Sequence, residues 1–196
     1  MFRNIRSIIV FICIAGPILV ASKHFEWDYR RSHRRQNHWP GSCKTGEYQS
    51  PINIDTSKTD KRRLLEKSLI VHGYQKNLAA ELRNNGHTIS INIRDPSRLK
   101  NIWVQDGGLG LSKNEFYSAH FHWGLTNDRG SEHTVNGKAF PMEAHLVHWN
   151  KDIGKNFANA QEKMTGVSLE VLGVHFKIGK KNKKLDHIFQ SIKGIQ

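Results

Sequence analysis

Cysteine is almost missing from this 196-residue chain, which has only Cys13 and Cys43. Acidic residues are also few: 17 Asp and Glu stand against 30 Lys and Arg, a formal net charge of +13. One long apolar run is present, Ile8 to Ala15, and with no second run no other segment spans a membrane. There is no internal repeat, no low-complexity linker and no Asn-x-Ser/Thr acceptor for glycosylation. Two basic clusters, Arg30 to Arg35 and Lys177 to Lys184, lack the interleaved aromatic residues of a single-strand nucleic-acid binder. They read as solvated basic loops, with an extracellular polyanion as the alternative partner.

The apolar run follows Arg3 and Arg6 and precedes the small residues Val20-Ala21-Ser22. Gly16-Pro17 interrupts it short of the ~20 residues that a membrane anchor needs. Residues 1–22 therefore read as a secretory signal peptide and the protein as secreted. Removing them leaves 28 Lys and Arg against 17 Asp and Glu, a net charge of about +11. It also leaves Cys43 as the single cysteine, a flag for a missing partner. Residues 23–196, with 37% hydrophobic residues over the whole chain and five Trp, suffice for one domain with a substantial core.

Twelve His are present, and five of them fall between His120 and His148. In Phe116 to Trp123, a strand would point Phe116, Ser118, His120 and His122 one way and Tyr117, Phe121 and Trp123 the other. In Met142 to Trp149, Glu143 and His145 share a face and His148 takes the opposite one. Two such neighbouring strands converge His120, His122 and His145, three protein ligands with the fourth tetrahedral position open, as in a catalytic zinc site. By itself His-x-His is a weak metal signal, and His133 and His148 are the candidates for packing or surface roles.

Elsewhere the chain reads as short strands with few helices, so a mainly β domain. Leu69 to Val71 suggests a short buried strand. Asn84-Asn85-Gly86 joins Leu78–Arg83 to His87–Ile93 as a hairpin, with Ile89, Ile91 and Ile93 on one side. Asp106 to Gly110 is a loop and not a phosphate cradle, because no helical pattern follows it. Leu185, Ile188, Phe189 and Ile192 have the spacing of an amphipathic helix. Trp27, Tyr29, Trp39 and Pro40 suggest an arm packed on the domain surface.

Six segments in order resemble those of the alpha-class carbonic anhydrases. They are Gln49-Ser50-Pro51-Ile52-Asn53-Ile54, Asn84-Asn85-Gly86-His87, Ser118 to Gly124, Gly130 to Val135, Glu143 to Asn150 and Leu169 to Val174. The resemblance covers about Phe25 to Lys193 and implies a central twisted, mostly antiparallel sheet carrying a metal cleft. It implies Zn2+ on His120, His122 and His145, reversible hydration of CO2 to bicarbonate, and Glu143 as the carboxylate holding the ligating imidazoles. Glu132 matches the family's Glu that orients a Thr hydroxyl in the hydroxide network. His87 matches the proton shuttle, with an exposed turn residue as its bland alternative. Asn85 and Tyr29 match residues that order water beside it, and Ser90 stands where the family often has Asn. Val147 and Val171 match the apolar wall for CO2, or are ordinary core.

The family's C-terminal third has no counterpart here, and with it the Thr that Glu132 would orient, the partner of Cys43 and several sheet strands. The expected sheet is thus incomplete at its C-terminal side, with exposed edges and apolar faces. Three readings stay open: a carbonic anhydrase whose sequence is truncated, a weak or inactive zinc-binding extracellular module, and a secreted basic polyanion binder. Related proteins that lose activity usually lose a zinc ligand, and all three are present here, which favours the enzyme class.

Overall fold

The computed structural model describes residues 5–8, 45–47, 49–59, 68–105, 112–163 and 167–192. Tyr29, both cysteines, the Arg30 to Arg35 cluster and the Asp106 to Gly110 loop lie outside these residues. The strands are β1 (Ile5–Ile8), β2 (Asn53–Ile54), β3 (Ile70–His72), β4 (Ala80–Asn84) and β5 (Ile89–Ile93). They continue with β6 (Trp103–Gln105), β7 (Lys113–Trp123), β8 (Thr134–Val135), β9 (Met142–Asn150) and β10 (Leu169–Ile178). Among the described residues a 3-10 helix (Pro96–Asn101) and two α-helices, α1 (Phe157–Lys163) and α2 (Lys183–Ile192), complete a mainly β domain.

The main sheet runs β1-β10-β9-β7-β5-β4, antiparallel at every pairing. The long β7 takes two neighbours on one edge: β6 pairs with Lys113–Glu115 and β5 with Ala119–Phe121. β3 hangs on β6, and β2 and β8 form a separate parallel pair. β1 lies within the segment read as a signal peptide and pairs with His175–Ile178 of β10.

Alternation along β7, β9 and β10 sorts side chains onto two faces. One face carries Phe121, Met142, Ala144 and Phe176, all buried, and α2 lays Phe189 on it with Leu185 and Ile188 alongside. The i, i+3, i+4 spacing thus becomes packing, and a fully buried Phe contributes about 1.5–3 kcal/mol. The opposite face carries Ser118, His120, His122, Glu143, His145, Val147, Val171 and His175, as cross-strand partners show.

Three expectations from the sequence are corrected. Phe116 does not share the face of Ser118, His120 and His122. It stands opposite His148 while Ser118 stands opposite Val147, so a β-bulge at Tyr117 reverses the alternation. Tyr117 turns outward and stacks on Phe157 of α1, ring centroids 3.7 Å apart. Second, the apolar run before Gly73 is not buried: Ile70 and Val71 are 48% and 45% exposed, because β3 pairs only with the short β6 among the described residues.

Third, β5 begins at Ile89, not His87, because Asn84 already pairs with Ile89 and residues 85–88 form the turn. Gly86 supplies its positive φ of 85°. Asn85 Oδ1 accepts from the amides of His87 (3.0 Å) and Thr88 (2.9 Å). The Thr88 hydroxyl then ties the turn to the backbone of Phe121, between His120 and His122.

The lysines of the Lys177 to Lys184 run are exposed around the end of β10 and the start of α2, where Lys181 pairs with Asp186 at 2.6 Å.

Candidate metal centre

His120 and His122 are two residues apart on β7 beyond the bulge, so their rings leave one face of the sheet. The neighbouring β9 places His145 directly opposite His120, and Glu143 opposite His122. The three ring centroids lie 4.7–5.1 Å apart. One nitrogen from each ring falls within 4.8 Å of the others, and His145 Nδ1 is 3.3 Å from His120 Nε2.

Glu143 is fully buried beneath them and accepts four hydrogen bonds. The amides of Glu132 and His133 each donate to its Oε2 at 2.9 Å. His133 Nδ1 and His145 Nε2 donate to its Oε1 at 2.8 and 2.9 Å. Burial alone would raise this carboxyl, but the hydrogen bonds from His133 and His145, with the nearby His175 imidazole, outweigh it and hold Glu143 well below the usual carboxylate range. An ionised carboxylate only accepts, so His145 carries its proton on Nε2 and presents an Nδ1 lone pair.

Burial, with the neighbouring His145, lowers His120 to about 4. Burial, then His145 and His120, lowers His122 to about 3. Both rings are therefore neutral at physiological pH, the form that ligates a metal. His122 Nε2 is buried without a hydrogen-bond partner; the nearest acceptor, Glu132 Oε2, is 3.4 Å away, long for such a bond. Three imidazoles at this spacing, one of them with an orphaned nitrogen, fit Zn2+.

The other predicted residues are placed as follows. Val147 and Val171 are buried cross-strand partners on the imidazole face, Val147 two residues beyond His145. Glu132 lies at the centre itself, 3.4 Å from His122 Nε2 and 3.8 Å from His145 Nδ1. His87 sits in the β4–β5 turn, three residues before Ser90, which faces His120 across the strands. Asn85 Oδ1 caps that turn and is engaged with its amides.

Two further residues escaped the sequence reading. His133, taken as a packing or surface residue, bridges Glu143 to the Ser50 hydroxyl at 3.1 Å and so joins the N-terminal segment to the centre. His175 is fully buried opposite Glu143, its Nε2 3.7 Å from Glu143 Oε2 and its ring stacked 4.1 Å from Phe140. Its parity with Val171 along β10 was the available signal.

The eukaryotic-type carbonic anhydrase family model matches residues 34–196. Carbonic anhydrase-related proteins of Homo sapiens and Rattus norvegicus are each 35% identical over 171 residues, 87% of this chain. The chain spans 56% of the length of these curated relatives. With its sheet and its histidine-bearing strands in the expected order, the chain belongs to the eukaryotic-type carbonic anhydrase family.

Proposed function

We propose that His120 and His122 through Nε2, and His145 through Nδ1, hold Zn2+, and that the protein reversibly hydrates CO2 to bicarbonate there. The observation that carries this reading is the convergence of three imidazoles over one buried carboxylate. Bound Zn2+ is the Lewis acid that makes water a nucleophile at neutral pH, carbonic anhydrase itself being the established example. Glu143 fixes the tautomer of His145 and raises its basicity. Val147 and Val171 offer an apolar wall, suited to a substrate without charge or dipole. His87, an imidazole on an outer turn, is the group to carry the proton to buffer, with Asn85 beside it in the same turn.

A second reading, a zinc-binding module without turnover, is favoured by one observation: an anionic oxygen, Glu132 Oε2, lies beside the ligating nitrogens, 3.4 Å from His122 Nε2 and 3.8 Å from His145 Nδ1. The test is zinc content and CO2 hydration of the purified protein, with His120→Ala as control. Stoichiometric zinc with hydration, both lost in the control, supports catalysis. Zinc without hydration supports the module, and absence of zinc overturns both.

We also propose secretion after loss of residues 1–22, tested by whether exported protein begins at Lys23. No helix among the described residues is long and apolar enough to cross a membrane. Heparin retention that survives moderate salt tests the polyanion partner.

A further inference from the structure

The buried Glu143 carboxylate orients a second imidazole besides His145, and that imidazole ends on a serine. His133 Nδ1 donates to Glu143 Oε1 at 2.8 Å, and Ser50 Oγ lies 3.1 Å from His133 Nε2. Glu143 is ionised and only accepts, so the His133 proton sits on Nδ1 and Nε2 offers a lone pair. The Ser50 hydroxyl therefore donates to Nε2, and its oxygen keeps its own lone pairs for attack. Hydroxyl, imidazole and carboxylate stand in the order, and with the tautomer, of a serine nucleophile and its general base.

Burial divides the three groups as this chemistry requires. His133 is 1% exposed and Glu143 0%, whereas Ser50 is open to solvent. Backbone contacts fix both ends of the chain of bonds. Glu143 Oε2 accepts from the His133 amide at 2.9 Å, and Ser131 Oγ donates to the His133 carbonyl at 2.6 Å. Ser50 stands three residues before β2, which pairs with β8, and the Thr134 amide donates to the Ile52 carbonyl at 3.2 Å. Ser57 and Ser97 are a contrast. Both are exposed, but their hydroxyls donate directly to the carboxylates of Asp55 and Asp95, at 2.6 and 2.7 Å.

We propose that Ser50 is a nucleophile activated by His133, an acyl-acceptor site separate from the three metal ligands, and that its substrates are activated esters. The Ser50 oxygen bonds to the acyl carbon as the ester C–O bond breaks. His133 Nε2 takes the serine proton and delivers it to the departing phenolate or alkoxide. Water, deprotonated by the same ring, then releases the acid and restores the hydroxyl. Glu143 touches neither ester nor water; it positions the base.

The test is a fluorophosphonate probe on the full chain as purified, read by peptide mass. The serine oxygen displaces fluoride from phosphorus, so attachment reports the same nucleophile. Ser50 is expected to label about 100-fold faster than Ser57 and Ser97, the lower end of general-base assistance. Glu143→Gln turns its NH2 toward His133 and so puts the ring proton on Nε2, which should bring Ser50 down to the rate of the other two. A Ser50 rate within about threefold of Ser57 and Ser97 in wild-type protein, far below what a general base supplies, overturns the proposal. The bond to His133 is then only a tie between segments. A Ser50 rate unchanged in folded Glu143→Gln overturns it equally. The wild-type comparison of three serines decides the question even if Glu143→Gln does not fold.

Discussion

Replacing Glu143 by Gln separates its two roles, anchor and tautomer switch. The carboxylate accepts from the amides of Glu132 and His133 on one oxygen and from His133 Nδ1 and His145 Nε2 on the other. A Gln can keep the two backbone amides on its carbonyl, which turns its NH2 toward both imidazoles. Each ring then has to accept, so the proton of His145 moves to Nδ1, the atom 3.3 Å from His120 Nε2. Every donor still finds an acceptor, so the fold loses only charge assistance, roughly 1–2 kcal/mol. Zinc affinity suffers more, because the ligating atom now holds a proton; a loss of about 10- to 100-fold is expected. Glu143→Ala is the contrast: it leaves donors without a partner in a sealed site and costs about 3–5 kcal/mol of stability. Competition with a chromophoric chelator gives the affinity, and urea unfolding of metal-free protein gives the stability. A Glu143→Gln protein that holds zinc within twofold of wild type would refute the tautomer argument, whatever its stability.

His148 provides a pH dependence away from the metal centre. Its Nδ1 is 3.2 Å from the Glu170 carbonyl and its Nε2 meets the Tyr74 hydroxyl, while burial lowers it to about 4. The unfolded chain takes up this proton near pH 6.5, so folded stability is full above that value. It falls by about 3 kcal/mol as pH drops to about 4, and His148→Gln should flatten the corresponding urea midpoints by that share. His175→Phe keeps an aromatic ring on Phe140 and removes two buried ring nitrogens that have no hydrogen-bond partner. It should stabilise the metal-free protein by about 1–2 kcal/mol; a loss in thermal unfolding would mean that its approach to Glu143 matters more than its desolvation.

What the sequence disclosed was the part that depends on local periodicity. A two-residue repeat puts His120 and His122 together wherever the strand lies, and the apolar stripe of α2 is visible in four residues. The bulge was not legible, because Phe116-Tyr117-Ser118 alternates as well as any regular stretch. Its position goes with Tyr117 meeting Phe157, on a helix of seven residues that buries only Ala160 and shows no stripe. Ile70 and Val71 read alike for a central or a marginal strand, and only the sheet order separates the cases. His175 reaches the centre through strand register, opposite a residue 32 positions away, whereas Glu132, named from the resemblance, is placed there by a loop pinned by Glu143.

Without a bound cation this centre would be costly to bury. His122 Nε2 is buried without a partner, and such a group costs about 1–3 kcal/mol. His120 and His145 stand close enough that their facing nitrogens must share either a proton or a cation. A cation bound only by the folded protein removes both penalties and adds its own mass action, about 2.7 kcal/mol at a free concentration 100 times Kd. The urea midpoint should therefore climb with the logarithm of free zinc in wild-type protein and stay level in His120→Ala. A midpoint that ignores zinc, or rises equally in that variant, would mean that the three nitrogens converge for packing alone. The neutral rings would then be the by-product of burying histidines between β7 and β9, and the shape of the site would have outlived its chemistry.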